Sequence, residues 1–150
     1  MITIYTDGAS SGNPGPGGYG TILLYKNFKK ELSEGYRKTT NNRMELLAVI
    51  KGLAALKGSE HQVTIYSDSK YVVDAVEKGW IWNWQKKGFK AKKNVDLWKT
   101  FIPLYQKHRV NFIWVKGHAG NPMNERCDEL AVSAYQQTPL QIDSGYESGE

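Results

Sequence analysis

Asp7 and Asp68 close two runs that match residue type for residue type, Ile4-Tyr5-Thr6-Asp7 and Ile65-Tyr66-Ser67-Asp68. Each run alternates in the manner of a strand, and each acid shares parity with the tyrosine two positions before it. If the strands run parallel, both acids therefore face the same side of a sheet. Neighbouring strands lie ~4.8 Å apart, where two bare carboxylates repel until one takes a proton or a divalent cation joins them. Glu45 and Asp128, each early in a helix, could close the same cluster from the sides. Hard oxygen donors without Cys or several His suit Mg2+, with Mn2+ as a substitute, rather than zinc. Two such ions ~3.5 to 4 Å apart stabilise both the attacking and the leaving oxygen of an in-line displacement at phosphorus.

Each acid also has a local structural reading. Asn42-x-x-Glu45 has the spacing of a capping box, and an acid in a first helical turn complements the helix dipole. Asp68 or Ser69 could cap the helix that follows. A lone Asp128 at the border of an apolar face would simply be solvated. Residue types alone do not separate these readings from a shared metal site.

The elements that must position the acids follow from pattern. Ile2 to Gly8 is the central strand, and Gly8 to Gly20 has loop chemistry. Gly15, Gly17 and Gly20 match G-x-G-x-x-G, but the next residues, Thr21 to Tyr25, are a strand and not the helix that a dinucleotide site needs. A strand from Tyr19 to Tyr25 turns through 26–29 into a third strand around Leu32 to Arg37. Thr39-Thr40-Asn41-Asn42 starts a helix whose apolar spacing runs to Gly58, a candidate C′ residue. The strand at 63–68 returns beside the first by a right-handed crossover, followed by a helix over 69–78. A further helix from Asn94 contains Pro103, which predicts a kink or a break near Ile102. Val110 to Lys116 is a fifth strand, Gly117 to Pro122 a loop, and Cys127, Leu130, Ala131 and Ala134 share one face of the last helix. These elements predict an α/β fold with a mixed five-stranded sheet, strands 1–3 antiparallel and strands 4 and 5 parallel, flanked by helices.

Length and charge narrow the partners. The chain has 150 residues, 40% of them hydrophobic, which suits one soluble domain with a real core. No transmembrane-length apolar run and no basic-then-apolar leader are present, and Cys127 is the single cysteine, which together predict a cytoplasmic protein. The formal charge is +5; the last dozen residues carry Asp143, Glu147 and Glu150 and no Lys or Arg, so 1–138 carries +8 (5 plus 3). We expect 1–138 to form the domain and 139–150 a flexible acidic tail.

Residues 78–99 hold Trp80, Trp82, Trp84 and Trp98 among Lys78, Lys86, Lys87, Lys90, Lys92, Lys93 and Lys99. An amphipathic helix with core tryptophans and solvated lysines accounts for part of this pattern. So many lysines with a single acid among them repel one another unless a polyanion is bound, and aromatic faces with ammonium groups suit a nucleic acid backbone.

The chain resembles bacterial type 1 ribonuclease H over nearly its whole length. The resemblance rests on Tyr5-Thr6-Asp7-Gly8 with Gly12-Asn13-Pro14-Gly15, on 39–45 (TTNNRME), on Tyr66-Ser67-Asp68-Ser69, on Asn83-Trp84, on 94–98 (NVDLW), on 114–120 (WVKGHAG) and on 124–131 (NERCDELA). It implies the RNase H-like fold and cleavage of the RNA strand of an RNA/DNA hybrid by two metal ions, leaving 3′-hydroxyl and 5′-phosphate ends. Asp7, Glu45, Asp68 and Asp128 would be the metal ligands, and His118 would activate water or release product. Ser10, Asn13, Asn41 and Asn42 would touch the minor groove and Thr40 a DNA phosphate. Trp80 and Trp98 would lie against DNA sugars, and the lysines of 86–93, Lys86 and Lys87 among them, would form a basic protrusion. Lys70 stands where glutamine is common and Ser10 where cysteine is; we expect Lys70 to reach a phosphate. The resemblance further implies a monomer. A hybrid-binding module without cleavage, or a same-fold DNA exonuclease or strand transferase, would differ in substrate and in metal dependence.

Overall fold

The computed structural model describes residues 1–117 and 120–149. Its strands are β1 (Ile2–Ser10), β2 (Gly15–Tyr25), β3 (Phe28–Thr39), β4 (Gln62–Ser67) and β5 (Arg109–Trp114). Its helices are α1 (Asn41–Ala54), α2 (Lys70–Glu77), α3 (Trp80–Lys86), α4 (Val95–Gln106), α5 (Pro122–Gln136) and α6 (Ser144–Glu147). The five strands form one mixed sheet in the order β3-β2-β1-β4-β5, with β1, β2 and β3 antiparallel and β4 and β5 parallel to β1. No helix among the described residues is long and apolar enough to cross a membrane.

Alternation places Ile2, Ile4, Val63 and Ile65 on one face, where they meet Leu46, Val49, Ile50 and Leu53 of α1 and the buried side of α2 and α4. Burying a branched aliphatic side chain stabilises the fold by roughly 1.5–3 kcal/mol, so this face holds the domain together. The opposite face carries α5. Gly18, Gly20 and Gly35 let that helix lie on the sheet's backbone, because a Cβ at these positions would run into the carbonyls of Ala131, Cys127 and Ala134.

Several expected boundaries move. β2 begins at Gly15 and not Tyr19, since Gly17 and Gly18 pair with Ser10 and Ala9; a ladder needs backbone, and glycine-rich composition hides it. β3 extends from Phe28 to Thr39, leaving a tighter turn. The first helix ends with its C-cap at Ala55, before Gly58. Pro103 does not break α4, which runs through to Gln106. The lost hydrogen bond is offset by burial of Trp98, Phe101 and Ile102 in the preceding turns.

The segment after 138 packs against β3 and the start of α1. Arg37 N–H donates to the Gln141 carbonyl and Gln141 N–H to the Gly35 carbonyl, both at 2.9 Å, which adds a short bridge to β3. Asp143 is buried, accepting from Thr39 Oγ1 at 2.6 Å and from Arg43 Nε at 2.8 Å. Arg43, only 1% exposed, also pairs with Asp96 at 2.7 Å. A buried guanidinium is tolerable because two carboxylates satisfy it in the fork geometry that arginine favours.

Candidate active site

Register brings the first two acids together. Thr6 pairs with Ser67 across the parallel β1–β4 ladder, so Asp7 stands beside Asp68, the residue just after β4. Tyr5 and Tyr66 stack with ring centroids 4.7 Å apart and planes 12° apart. This is the shared parity expected from the repeated run, and it puts both acids on one side of the sheet end.

Glu45 arrives from the other face, on the second turn of α1. Gly8 makes this possible: its Cα lies against the backbone of Met44 and Glu45, where a Cβ has no room. The Gly8 N–H donates to Asp7 Oδ1 and to Glu45 Oε1, both at 2.9 Å. Neither acid is spent on a helix cap, since the cap of α1 lies two residues before Asn42, and Ser69, not Asp68, takes the cap of α2. Thr40 caps α1, accepting from Arg43 N–H at 3.2 Å, and Ser69 caps α2, accepting from Val72 N–H at 3.2 Å. The Asp68 and Glu45 carboxylates are left for each other.

One oxygen from each of Asp7, Glu45 and Asp68 lies within 4.8 Å of the others. Asp7 and Glu45 are buried, and Asp68 Oδ1 is buried with no hydrogen-bond partner among the described residues. Burial, then the charges of Asp68 and Asp128, push the Asp7 carboxyl up to about 9. Burial and the charges of Asp7 and Asp68 likewise hold Glu45 well above the usual carboxylate range. Three crowded acids, of which Asp7 and Glu45 resist ionisation, with an orphaned oxygen on Asp68, fit a hard divalent cation that would replace the protons. Asp128 is half-buried and stands outside the tight trio, close enough to raise Asp7. His118 lies outside the described residues.

The residues expected to meet substrate fall in two clefts and at a few single positions. Asn41 N–H donates to Asn13 Oδ1 at 3.1 Å, which ties the β1–β2 loop to the start of α1. Asn13, Thr40 and Asn42 line a cleft of about 310 Å³ that also takes in Lys93, Asn94 and Tyr146. A second cleft of about 370 Å³ is walled by Trp80, Trp84, Lys87, Lys90 and Lys92. Trp80 is 43% exposed, with Lys78 Nζ 5.3 Å from its ring. Lys86 is exposed at the end of α3, and Ser10 ends β1 opposite Gly17. Lys70, opening α2, sits 4.6 Å over the ring of Trp114, whose Nε1 donates to the Asp68 carbonyl at 3.2 Å.

Trp98 requires a correction. It is wholly buried, donates from Nε1 to Tyr71 Oη at 2.9 Å, and packs edge-on against Trp84 and Phe101. It has no surface to offer a sugar; it fills the space between α2, α3 and α4 instead. Sequence reasoning missed Gly8 as a shared donor, Trp114 and Tyr146. The Asp-Gly step and the alternation of β5 carried a signal for the first two, and nothing local did for Tyr146. A larger, apolar cleft of about 470 Å³, lined by Ile2, Leu23, Tyr25 and Phe28, lies away from the acids and carries none.

A mixed five-stranded sheet with carboxylates converging at the end of its central strands defines an α/β protein of the RNase H-like fold. The sequence profile of the RNase H family matches residues 1–136. The chain is 57% identical over 147 residues to a ribonuclease H of Desulforamulus reducens, covering 95% of this chain and 92% of that one. It is 52% identical over 151 residues to a ribonuclease HI of Synechocystis, covering 97% and 94%. Among solved structures, LC9-RNase H1, a type 1 RNase H with the type 2 active-site motif, superposes with a TM-score of 0.82 at 34% identity, covering 98% of this chain and 79% of that chain. The chain belongs to the RNase H family, as a bacterial type 1 ribonuclease H.

Proposed function

We propose that this enzyme hydrolyses the RNA strand of RNA/DNA hybrids internally, with two Mg2+ ions, leaving 3′-hydroxyl and 5′-phosphate ends. The observation that carries the reading is the trio of Asp7, Glu45 and Asp68, with oxygens within 4.8 Å of one another, in a chain that also carries a lysine- and tryptophan-walled cleft. Asp7 and Asp68 would hold both ions, and Glu45 and Asp128 one each. When bound, the ions supply charge stabilisation for the attacking and leaving oxygens at phosphorus. Mn2+ substitutes for Mg2+ on the same oxygen donors.

The chain's own groups do the positioning. Gly8 N–H holds Asp7 and Glu45 in register. Ser10, Asn13, Asn41 and Asn42 read the minor groove, where 2′-hydroxyls distinguish RNA from DNA, and Glu45 contacts one such hydroxyl. Thr40 holds a phosphate of the DNA strand, Trp80 lies against a DNA sugar, and Lys86 and Lys87 neutralise the backbone. His118 moves a proton to water or to the departing product, a task suited to a side chain that titrates near neutrality. The protein acts as a monomer.

A labelled hybrid incubated with Mg2+ and then with chelator tests the reading. Endonucleolytic products from the RNA strand, abolished by chelator and absent with duplex DNA or duplex RNA, are expected. Cleavage of duplex DNA at the same rate would point instead to an exonuclease or strand transferase of the same fold. Asp7→Asn is expected to abolish cleavage while hybrid binding survives.

A further inference from the structure

The cleft of about 310 Å³ at the start of α1 is walled on one side by a residue from the far end of the chain. We propose that Tyr146, carried there by the docked C-terminal segment, is a substrate-positioning residue whose hydroxyl hydrogen-bonds the same DNA-strand phosphate as Thr40. This rests on the assignment of the α1 flank to the DNA strand.

The cleft's chemistry selects an anion. Its polar side chains, those of Asn13, Thr40, Asn42, Lys93, Asn94 and Tyr146, all bring a donor, that of Asn94 already given to Tyr71 Oη at 3.0 Å, and no carboxylate lines it. Thr40 Oγ1 already accepts from Arg43 N–H, so its own proton is left to donate outward. Asn13 uses its carbonyl oxygen on Asn41 N–H, which leaves its amide NH2. Tyr146 is half-buried, and its hydroxyl has no hydrogen-bond partner among the described residues. A phosphodiester oxygen is the acceptor that this set of donors lacks.

Tyr146 is also held in place. Its N–H donates to Asp143 Oδ1 at 3.3 Å, and Asp143 is itself held by Arg43. One residue on, Glu147 forms a two-pronged ion pair with Arg37 at 2.8 and 2.9 Å. A Cβ on Gly145 would collide with Asp96, so the segment lies hard against the start of α4. Such anchoring lowers the entropy lost when a side chain grips a ligand.

Hybrid binding in chelator, read by fluorescence anisotropy, tests the proposal without cleavage. Tyr146→Phe should raise Kd about 3- to 10-fold, the range of one hydrogen bond exchanged with water, at unchanged Tm. The slope of log K against log salt should stay the same, because no charge is removed. Lys93→Ala should instead reduce that slope by about 0.9. Hybrids carrying one methylphosphonate at successive DNA positions should show a position where the parent loses affinity and Tyr146→Phe loses less. Parent-like Kd for Tyr146→Phe, or equal losses at every methylphosphonate position, would overturn the role of Tyr146 while leaving hybrid cleavage intact. Failure of the parent to prefer the hybrid over duplex DNA would overturn the assignment of the flank itself.

Discussion

Gly8 and Glu45 touch through backbone and carboxylate: the Gly8 N–H reaches Glu45 Oε1 at 2.9 Å while also serving Asp7, its own neighbour. One donor thus sets the spacing of two of the clustered acids, and α1 can approach only because Gly8 has no Cβ. Gly8→Ala is expected to push α1 off the strand, at about 1–3 kcal/mol of stability. Mn2+ affinity, measured by calorimetry, should fall further than stability does. A variant that bound Mn2+ as the parent does would show that the close approach is dispensable.

Stability without metal should fall as pH rises. Asp7 is pushed from 3.8 up to about 9, so the folded state keeps a proton that the unfolded chain releases near pH 4. The resulting stabilisation is complete below that pH and is lost as pH climbs toward about 9; Glu45 shifts in the same direction. In chelator, Tm should therefore drop between about pH 6 and 9, less steeply in Asp7→Asn, and Mg2+ should remove the drop by taking the protons' place. His108, held below its ordinary 6.5 by burial and by His61, has the opposite sign and acts below that value. A chelated protein with a flat Tm across this window would contradict the crowding of the acids.

Arg43→Ala should cost about 3–5 kcal/mol, the typical effect of breaking a buried ion pair from one side. Asp143 would be left buried and unpaired. Limited proteolysis should then cut the segment after 138 first. Urea unfolding gives the magnitude, and an uncut segment would mean that Gln141 and the Arg37–Glu147 pair hold it without Arg43.

Trp98 and Trp80 should separate cleanly. Trp98→Ala is expected to lose about 3–5 kcal/mol of stability, since the ring is fully enclosed. Trp80→Ala, at an exposed site, should leave stability within about 0.5 kcal/mol and weaken hybrid binding by about 1 kcal/mol or more. Equal stability losses in the two variants would remove the distinction.

Lys70→Gln should reduce the salt slope of hybrid binding by about 0.9, the release of one phosphate contact. The lysine rests over Trp114 at 4.6 Å, pre-placed beside Asp68. An unchanged slope would mean that the ammonium serves the ring and not the substrate.

Much of this architecture was legible because it is written in short-range pattern. The alternation of Ile2 to Asp7 and of its repeat at 63–68 gives two strands and the shared parity of their acids, and helical spacing gives α1 and α5. What pattern could not decide was competition. Asn42 and Glu45 have capping-box spacing, but α1 starts at the Thr40 cap, which places Glu45 on the second turn and free to meet the Gly8 N–H. Asp143 looked like part of a loose tail because its partner Arg43 is 100 residues away. Pro103 argued for a break that burial of the neighbouring turns overrides, and Trp98 looked like its exposed neighbour Trp80 because composition does not tell inside from outside.

The glycines beneath α5 carry a consequence for how such a protein is probed. Gly18, Gly20 and Gly35 hold Asp128 near the other acids only by being small, since any added carbon would lift the helix that bears it. Scans that trim side chains will find nothing there, because there is nothing to trim. These determinants answer only to atoms gained, and a survey built on atoms lost would leave the placement of the fourth acid unexplained.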